Sequence, residues 1–167
     1  PFTTLVPNLG VVQYGDAPPF VMADIPGLIE GAHEGAGLGI RFLRHIERTR
    51  VLVHVVDAAS VPSANPLKPY RIIERELSQY AESLARKPRL VALNKMDMIP
   101  DPDARARLLR AFSTIGCPVL AISALTREGL DDFLKAVVQV LQETAREVPK
   151  ADSDENIDGP PRGTEVL

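Results

Sequence analysis

Three nearly continuous apolar runs govern what this chain can become: VLVHVVDA (51–58), RLVALN (89–94) and PVLAIS (118–123). Runs of this kind, without polar alternation, mark strands buried on both faces. Each is followed by a helical rhythm. After the first run, Tyr70, Ile73, Leu77, Tyr80 and Leu84 recur at intervals of three and four, an amphipathic spacing. After the second, residues 103–114 form a helix with Leu108 and Phe112 inward, and after the third Leu130, Phe133, Leu134, Val137 and Leu141 mark a last helix. Strand then helix, three times over, predicts right-handed βαβ units and an α/β fold with a doubly wound, mostly parallel sheet.

The first fifty residues read differently. LGVVQY (9–14) and FVMADI (20–25) flank Gly15-Asp16-Ala17-Pro18-Pro19, turn chemistry that predicts a hairpin. Glycines at 27, 31, 35, 37 and 39 then lower helix propensity until about Leu38, after which Leu38, Phe42 and Ile46 mark a helix. Pro62, Pro66 and Pro69 break the segment 59–69. From Val148 the chain turns acidic and loses apolar periodicity, so residues 1–147 are expected to form one domain and 148–167 a linker or disordered tail.

The net charge of −3 gives no basic nucleic-acid footprint, and Arg41, Arg44, Arg48 and Arg50 read as the solvated face of a helix. The single cysteine, Cys117, excludes an internal disulfide and reads as a small buried hydrophobe, which fits a reducing cytoplasm. No apolar run approaches the ~20 residues a membrane helix needs, so no membrane partner is expected.

In a doubly wound sheet, ligands bind outside the carboxyl ends of the strands. Standing there are Asp24, Asp57, Asn94 to Asp97, and Ser123-Ala124. Asp97 is the informative one. A carboxylate accepts two hydrogen bonds side by side, and guanine offers N1–H and its exocyclic amine in that arrangement. Adenine has no such pair on that edge, which argues against an ATPase. Asn94 can tie neighbouring loops together, and the aliphatic stem of Lys95 can lie along a base.

These residues resemble known motifs. NKMD (Asn94, Lys95, Met96, Asp97) resembles the guanine-specificity motif of P-loop GTPases, and SAL (Ser123, Ala124, Leu125) the motif whose backbone amide meets the guanine oxygen. DIPG (Asp24, Ile25, Pro26, Gly27) is similar to the D-x-x-G motif beside the γ-phosphate and magnesium. FTTLVPNLGVV, the segment from DIPG through HVVD, and NKMD…SALTREGL together resemble the Obg (CgtA) family of bacterial ribosome-associated GTPases, from Phe2 to about Leu141.

The resemblance implies a switch that binds GTP and GDP with Mg²⁺, hydrolyses GTP, and works with the large ribosomal subunit in ribosome assembly and stress regulation. It implies that Phe2, Thr3, Thr4, Leu5 and Val6 form the first switch, with the Thr4 hydroxyl on Mg²⁺. Asp24 would hold the ion through water, and the Gly27 amide would meet the γ-phosphate. Thr4 and Gly27 are thereby the expected catalytic groups. Leu28 follows D-x-x-G where many Ras-like GTPases carry a water-orienting glutamine, which predicts slow intrinsic hydrolysis.

No G-x-x-x-x-G-K-[ST] occurs in these residues, the loop whose amides and lysine cradle phosphates. The chain opens on Pro1, and the expectation is an excerpt lacking the first strand, the phosphate loop and the first helix. The missing strand would lie between those at 20–25 and 51–57, and the residues as written are expected to bind GTP poorly or not at all. The alternative is a nucleotide-free, degenerate GTPase-fold interaction module; against it, Asp24, Asn94 and Asp97 are all intact. A phosphoacceptor role for Asp57 fails because Lys95 precedes Ser123, the reverse of a receiver domain. Asp57 is expected to cap its following loop, His54 to be a satisfied core histidine, and His33 to have no catalytic role.

Overall fold

The computed structural model describes residues 8–24, 46–147 and 165–166. Strands β1 (Asn8–Val12) and β2 (Phe20–Asp24) form the expected antiparallel hairpin, with Val12 opposite Phe20 and Asn8 opposite Asp24. Gly15 turns the chain at φ 53°, and the Gln13 amide closes the turn by donating to the carbonyls of Gly15 and Ala17. The rest is β3 (Leu52–Asp57), helix α1 (Lys68–Tyr80), the short helix α2 (Glu82–Ala85), β4 (Arg89–Asn94), helix α3 (Pro102–Phe112), β5 (Val119–Ala121) and helix α4 (Leu130–Glu147).

β3, β4 and β5 make a parallel sheet with β4 in the middle. Its central residues show why the apolar run had no alternation. Leu90, Val91, Ala92 and Leu93 are all fully buried, because helices cover both faces. Leu90 and Ala92 pack with Val51, Phe133, Val137 and Leu141, on the α4 side. Val91 and Leu93 turn the other way, to Tyr70, Leu108 and Phe112 of α1 and α3.

The structure departs from the sequence-based expectation in three places. The helical rhythm that ran to Leu84 is interrupted: Ala81 is extended (φ −156°, ψ 129°), and a single turn resumes at Glu82. The bend lets Leu84 bury completely beside Ile46, Leu52 and Leu77, while the Arg89 guanidinium donates to the carbonyls of Leu84 and Ala85 at the end of that turn. Next, the strands fall into two three-stranded sheets, β1-β2-β6 and β3-β4-β5, rather than one; that β2 and β3 are not hydrogen-bonded neighbours agrees with the further strand expected between them. Third, within the stretch read as a linker or disordered tail, Glu165–Val166 form β6, parallel to Val21 and Met22 of β2. An open strand edge is a row of unmet donors and acceptors, and β6 meets part of the one on β2. The switch residues 2–6, the glycine-rich segment from Ile25, its helix up to residue 45, and 148–164 lie outside the described residues.

Candidate functional site

The carboxyl ends of β3, β4 and β5 bring the sequence-predicted polar residues together. In register, Asp57 lies beside Asn94, and the Ala58 N–H donates to the Asn94 carbonyl at 2.9 Å. Beyond Asn94 the backbone must leave the sheet abruptly. Lys95 does this in the left-handed region (φ 65°), and Met96–Met98 close a 3₁₀ turn. Met96 anchors that turn: its side chain is 2% exposed in the core, and its N–H donates to the Ile122 carbonyl at 3.1 Å.

Asn94 Oδ1 accepts from the Lys95 N–H at 2.8 Å and the Ala124 N–H at 3.0 Å. One side-chain oxygen thus fastens the NKMD loop to the loop after β5, as its position at a strand end suggested. The Ala124 amide, within the SAL motif, is donated to Asn94 in this structure. Ser123 is fully buried; its N–H donates to the Glu128 carbonyl at 2.9 Å and its Oγ accepts from Thr126 at 3.1 Å, so it closes the loop on itself. Leu125 stands at the loop's tip, exposed. Gly129 ends the loop at φ 71°, where a Cβ would lie 2.2 Å from the Ala121 carbonyl oxygen.

Asp97 carries the decisive feature. Its Oδ1 is buried and has no hydrogen-bond partner among the described residues. A buried acceptor without a donor is costly and rare in folded proteins, and a donor-bearing ligand edge would relieve it. Asp57 does what the sequence suggested and more. Its Oδ1 caps the following turn through the Ala59 N–H at 3.1 Å, and its Oδ2 holds the Lys95 ammonium at 2.6 Å. That hydrogen-bonded ammonium keeps the Asp57 carboxyl below the usual carboxylate range.

Sequence reasoning did not find this ion pair, nor Arg105 of α3, which hydrogen-bonds the carbonyls of Met96 and Ile99 and pairs with Glu128. The first follows from strand register; the second has no signal beyond one more basic residue on a helix. Two readings of single residues are also settled. His54 is not a satisfied core histidine: it stacks on Tyr70, with ring centroids 5.1 Å apart, but its buried Nδ1 has no partner among the described residues. Burial pushes its pKa down to about 4. Cys117 is half-buried and its thiol is pushed up by burial, as befits an inert small hydrophobe.

Asp24 is exposed at the end of β2. Among the described residues no three acidic, histidine or cysteine side chains cluster as a metal site. Mg²⁺ in nucleotide sites commonly takes one or two carboxylates, with phosphate and water completing the shell, so one exposed carboxylate at a strand end fits that ion.

Residues 1–95 match the family model described as 50S ribosome-binding GTPase. The chain belongs to that family. Within the family it is of the Obg type: it is 54% identical over 157 residues to GTPase Obg of Syntrophobacter fumaroxidans, covering 94% of this chain and 45% of that protein. It is 53% identical over 156 residues to GTPase Obg of Geobacillus thermodenitrificans, covering 92% of this chain and 35% of that one. The chain therefore spans less than half the length of these Obg relatives. A structure of Era with MgGDPNP and a segment of 16S ribosomal RNA superposes with a TM-score of 0.61 at 20% identity, over 94% of this chain and 49% of Era. The FeoB G-domain of Methanococcus jannaschii does so with a TM-score of 0.54 at 22% identity, over 80% of this chain and 77% of that one. These two likenesses show the P-loop GTPase fold. Among the described residues, no helix is long and apolar enough to cross a membrane.

Proposed function

We propose that these residues are the base-reading and switch portion of a cytoplasmic Obg-type GTPase that binds GTP and GDP, uses Mg²⁺, hydrolyses GTP and acts on the large ribosomal subunit. The observation that carries the reading is the orphaned, buried Asp97 Oδ1 on a turn anchored by Met96 and fastened through Asn94 to the loop after β5. In this reading Asp97 accepts from guanine N1–H and the exocyclic amine, and the Lys95 stem lines the base plane. Asp24 and Thr4 serve the ion, and the Gly27 amide meets the γ-phosphate, with Phe2 to Val6 and Ile25 to Gly27 as the moving parts. Leu28 cannot orient water by hydrogen bonding, so intrinsic hydrolysis is slow. These 167 residues hold no phosphate-cradling loop, so the activity is proposed for a protein in which one accompanies them.

The test is Asp97→Asn in the full-length protein. Exchanging an acceptor for a donor should weaken GDP binding about thirtyfold or more, the size of a lost charge-assisted hydrogen bond, and should favour xanthosine diphosphate. Undiminished guanine binding would remove Asp97 as the reader.

A further inference from the structure

Arg105 stands outside the residues that the motifs assign to the base, yet it touches both loops that face it. Its Nε donates to the Ile99 carbonyl at 2.6 Å and its Nη2 to the Met96 carbonyl at 2.7 Å. Those carbonyls bracket the turn that carries Asp97. Its Nη1 meets Glu128 Oε1 at 2.9 Å, and Glu128 belongs to the loop after β5, where its own carbonyl accepts the Ser123 N–H at 2.9 Å. Three donors of one planar group therefore span the two loops. A guanidinium presents its donors in a rigid fork, so it fixes the relative position of its acceptors in a way an ammonium does not.

Asn94 joins the same two loops through its carbonyl oxygen. The loops are pinned at two points, by Asn94 and by Arg105, and Asp97 rides on the segment between them. Discrimination against a ligand lacking one donor depends on the site's acceptor staying unpaired, and that requires a turn that cannot relax to find another partner.

We propose that Arg105 is a positioning residue for base recognition: by clamping the turn that carries Asp97 to Glu128 across the site, it sets the preference for guanine over hypoxanthine, which lacks the exocyclic amine. This rests on the guanine reading of Asp97. Glu128 is the second half of the clamp, and its partly exposed carboxylate makes it the milder place to break it.

The experiment measures dissociation constants for GDP and inosine diphosphate in the full-length protein. Arg105→Met should weaken GDP about tenfold, the size of one charged hydrogen bond, and shrink the GDP-to-IDP ratio several-fold. Arg105→Lys, which keeps the charge but not the fork, should shrink the ratio as well. Glu128→Gln should move the ratio in the same direction by less, and adding it to Arg105→Met should change nothing further, as for two ends of one interaction. Arg107→Met, which loses only an exposed 3.5 Å contact to Asp101 at the N-cap of the same helix, should leave the ratio as it was.

A lowered thermal midpoint with an unchanged ratio in both Arg105→Met and Glu128→Gln would overturn the proposal and leave Arg105 as a strut for α3. Should Arg105→Met not fold, the ratio in Glu128→Gln decides alone. If Asp97→Asn leaves the guanine preference intact, the base reading falls and this proposal with it. If Asp97→Asn swings toward xanthosine while the clamp variants keep the ratio, only the clamp falls.

Discussion

The two ends of the β3-β4-β5 sheet hold a similar stock of charge and treat it in opposite ways. At the amino end, Arg89 is nearly buried, and every direction its guanidinium faces is answered: the Glu74 carboxylate and the carbonyls of Leu84, Ala85 and Lys87. Lys87 beside it gives its ammonium to the carbonyls of Glu47 and Thr49, at 3.0 and 2.5 Å. At the carboxyl end, Lys95 is half-exposed in its pair with Asp57, its backbone is left-handed, and Asp97 keeps a buried oxygen with no donor among the described residues. One end is closed by protein alone; the other keeps unmet hydrogen-bonding capacity where ligands bind in this fold class.

The contrast is broken most severely at Arg89. Arg89→Ala would leave the partly buried Glu74 without its cation and take a donor from three carbonyls, so urea unfolding of the chain should show a loss of about 3 kcal/mol. Base preference, measured separately in the full-length protein, should not change. A smaller effect belongs to His54. Its folded pKa is depressed to about 4 from an ordinary 6.5, so between those values the unfolded state binds more protons. Its contribution is present above pH 6.5 and lost as pH falls toward 4, to the extent of about 2–3 kcal/mol. His54→Phe should flatten that arm of the stability–pH curve, and an unchanged arm would mean other groups carry the acid sensitivity. Asp97→Asn should reverse the pattern seen at Arg89, moving base preference strongly and the unfolding midpoint hardly at all. Least of all should come from Asp57→Asn: the pair with Lys95 is open to solvent, and about 0.5 kcal/mol or less is expected, with GDP release slightly faster as Lys95 loses its tether.

Much of this was legible before any coordinates. β4 is read from the sequence with its observed limits because four successive residues are buried on both faces and the run stops on Asn94. Asn94, Asp97 and Ser123 are visible for the same reason, as polar groups at the ends of buried strands, and the structure gathers them at one end of the sheet. The break at Ala81 was not visible, since alanine is the best helix former and only the burial of Leu84 requires the bend. Nor was the Asp57–Lys95 pair, whose members are 38 positions apart and meet through strand register. Arg105 gave no sign at all, because its meaning lies in three acceptors on two other segments. Local pattern carries what each segment is; cross-strand register and long side chains carry what the segments do to one another.

Gly129 shows how uneven the loop after β5 must be toward change. A single methyl group there would lie 2.2 Å from the Ala121 carbonyl oxygen, on a backbone at φ 71° that side chains disfavour. Four residues earlier, Leu125 has 85% of its surface in solvent. In a library randomised across this loop and selected for folding, position 129 should return glycine almost alone while position 125 returns nearly the whole alphabet. Neighbours in one short loop would thus evolve at opposite speeds, for no reason beyond the space each has.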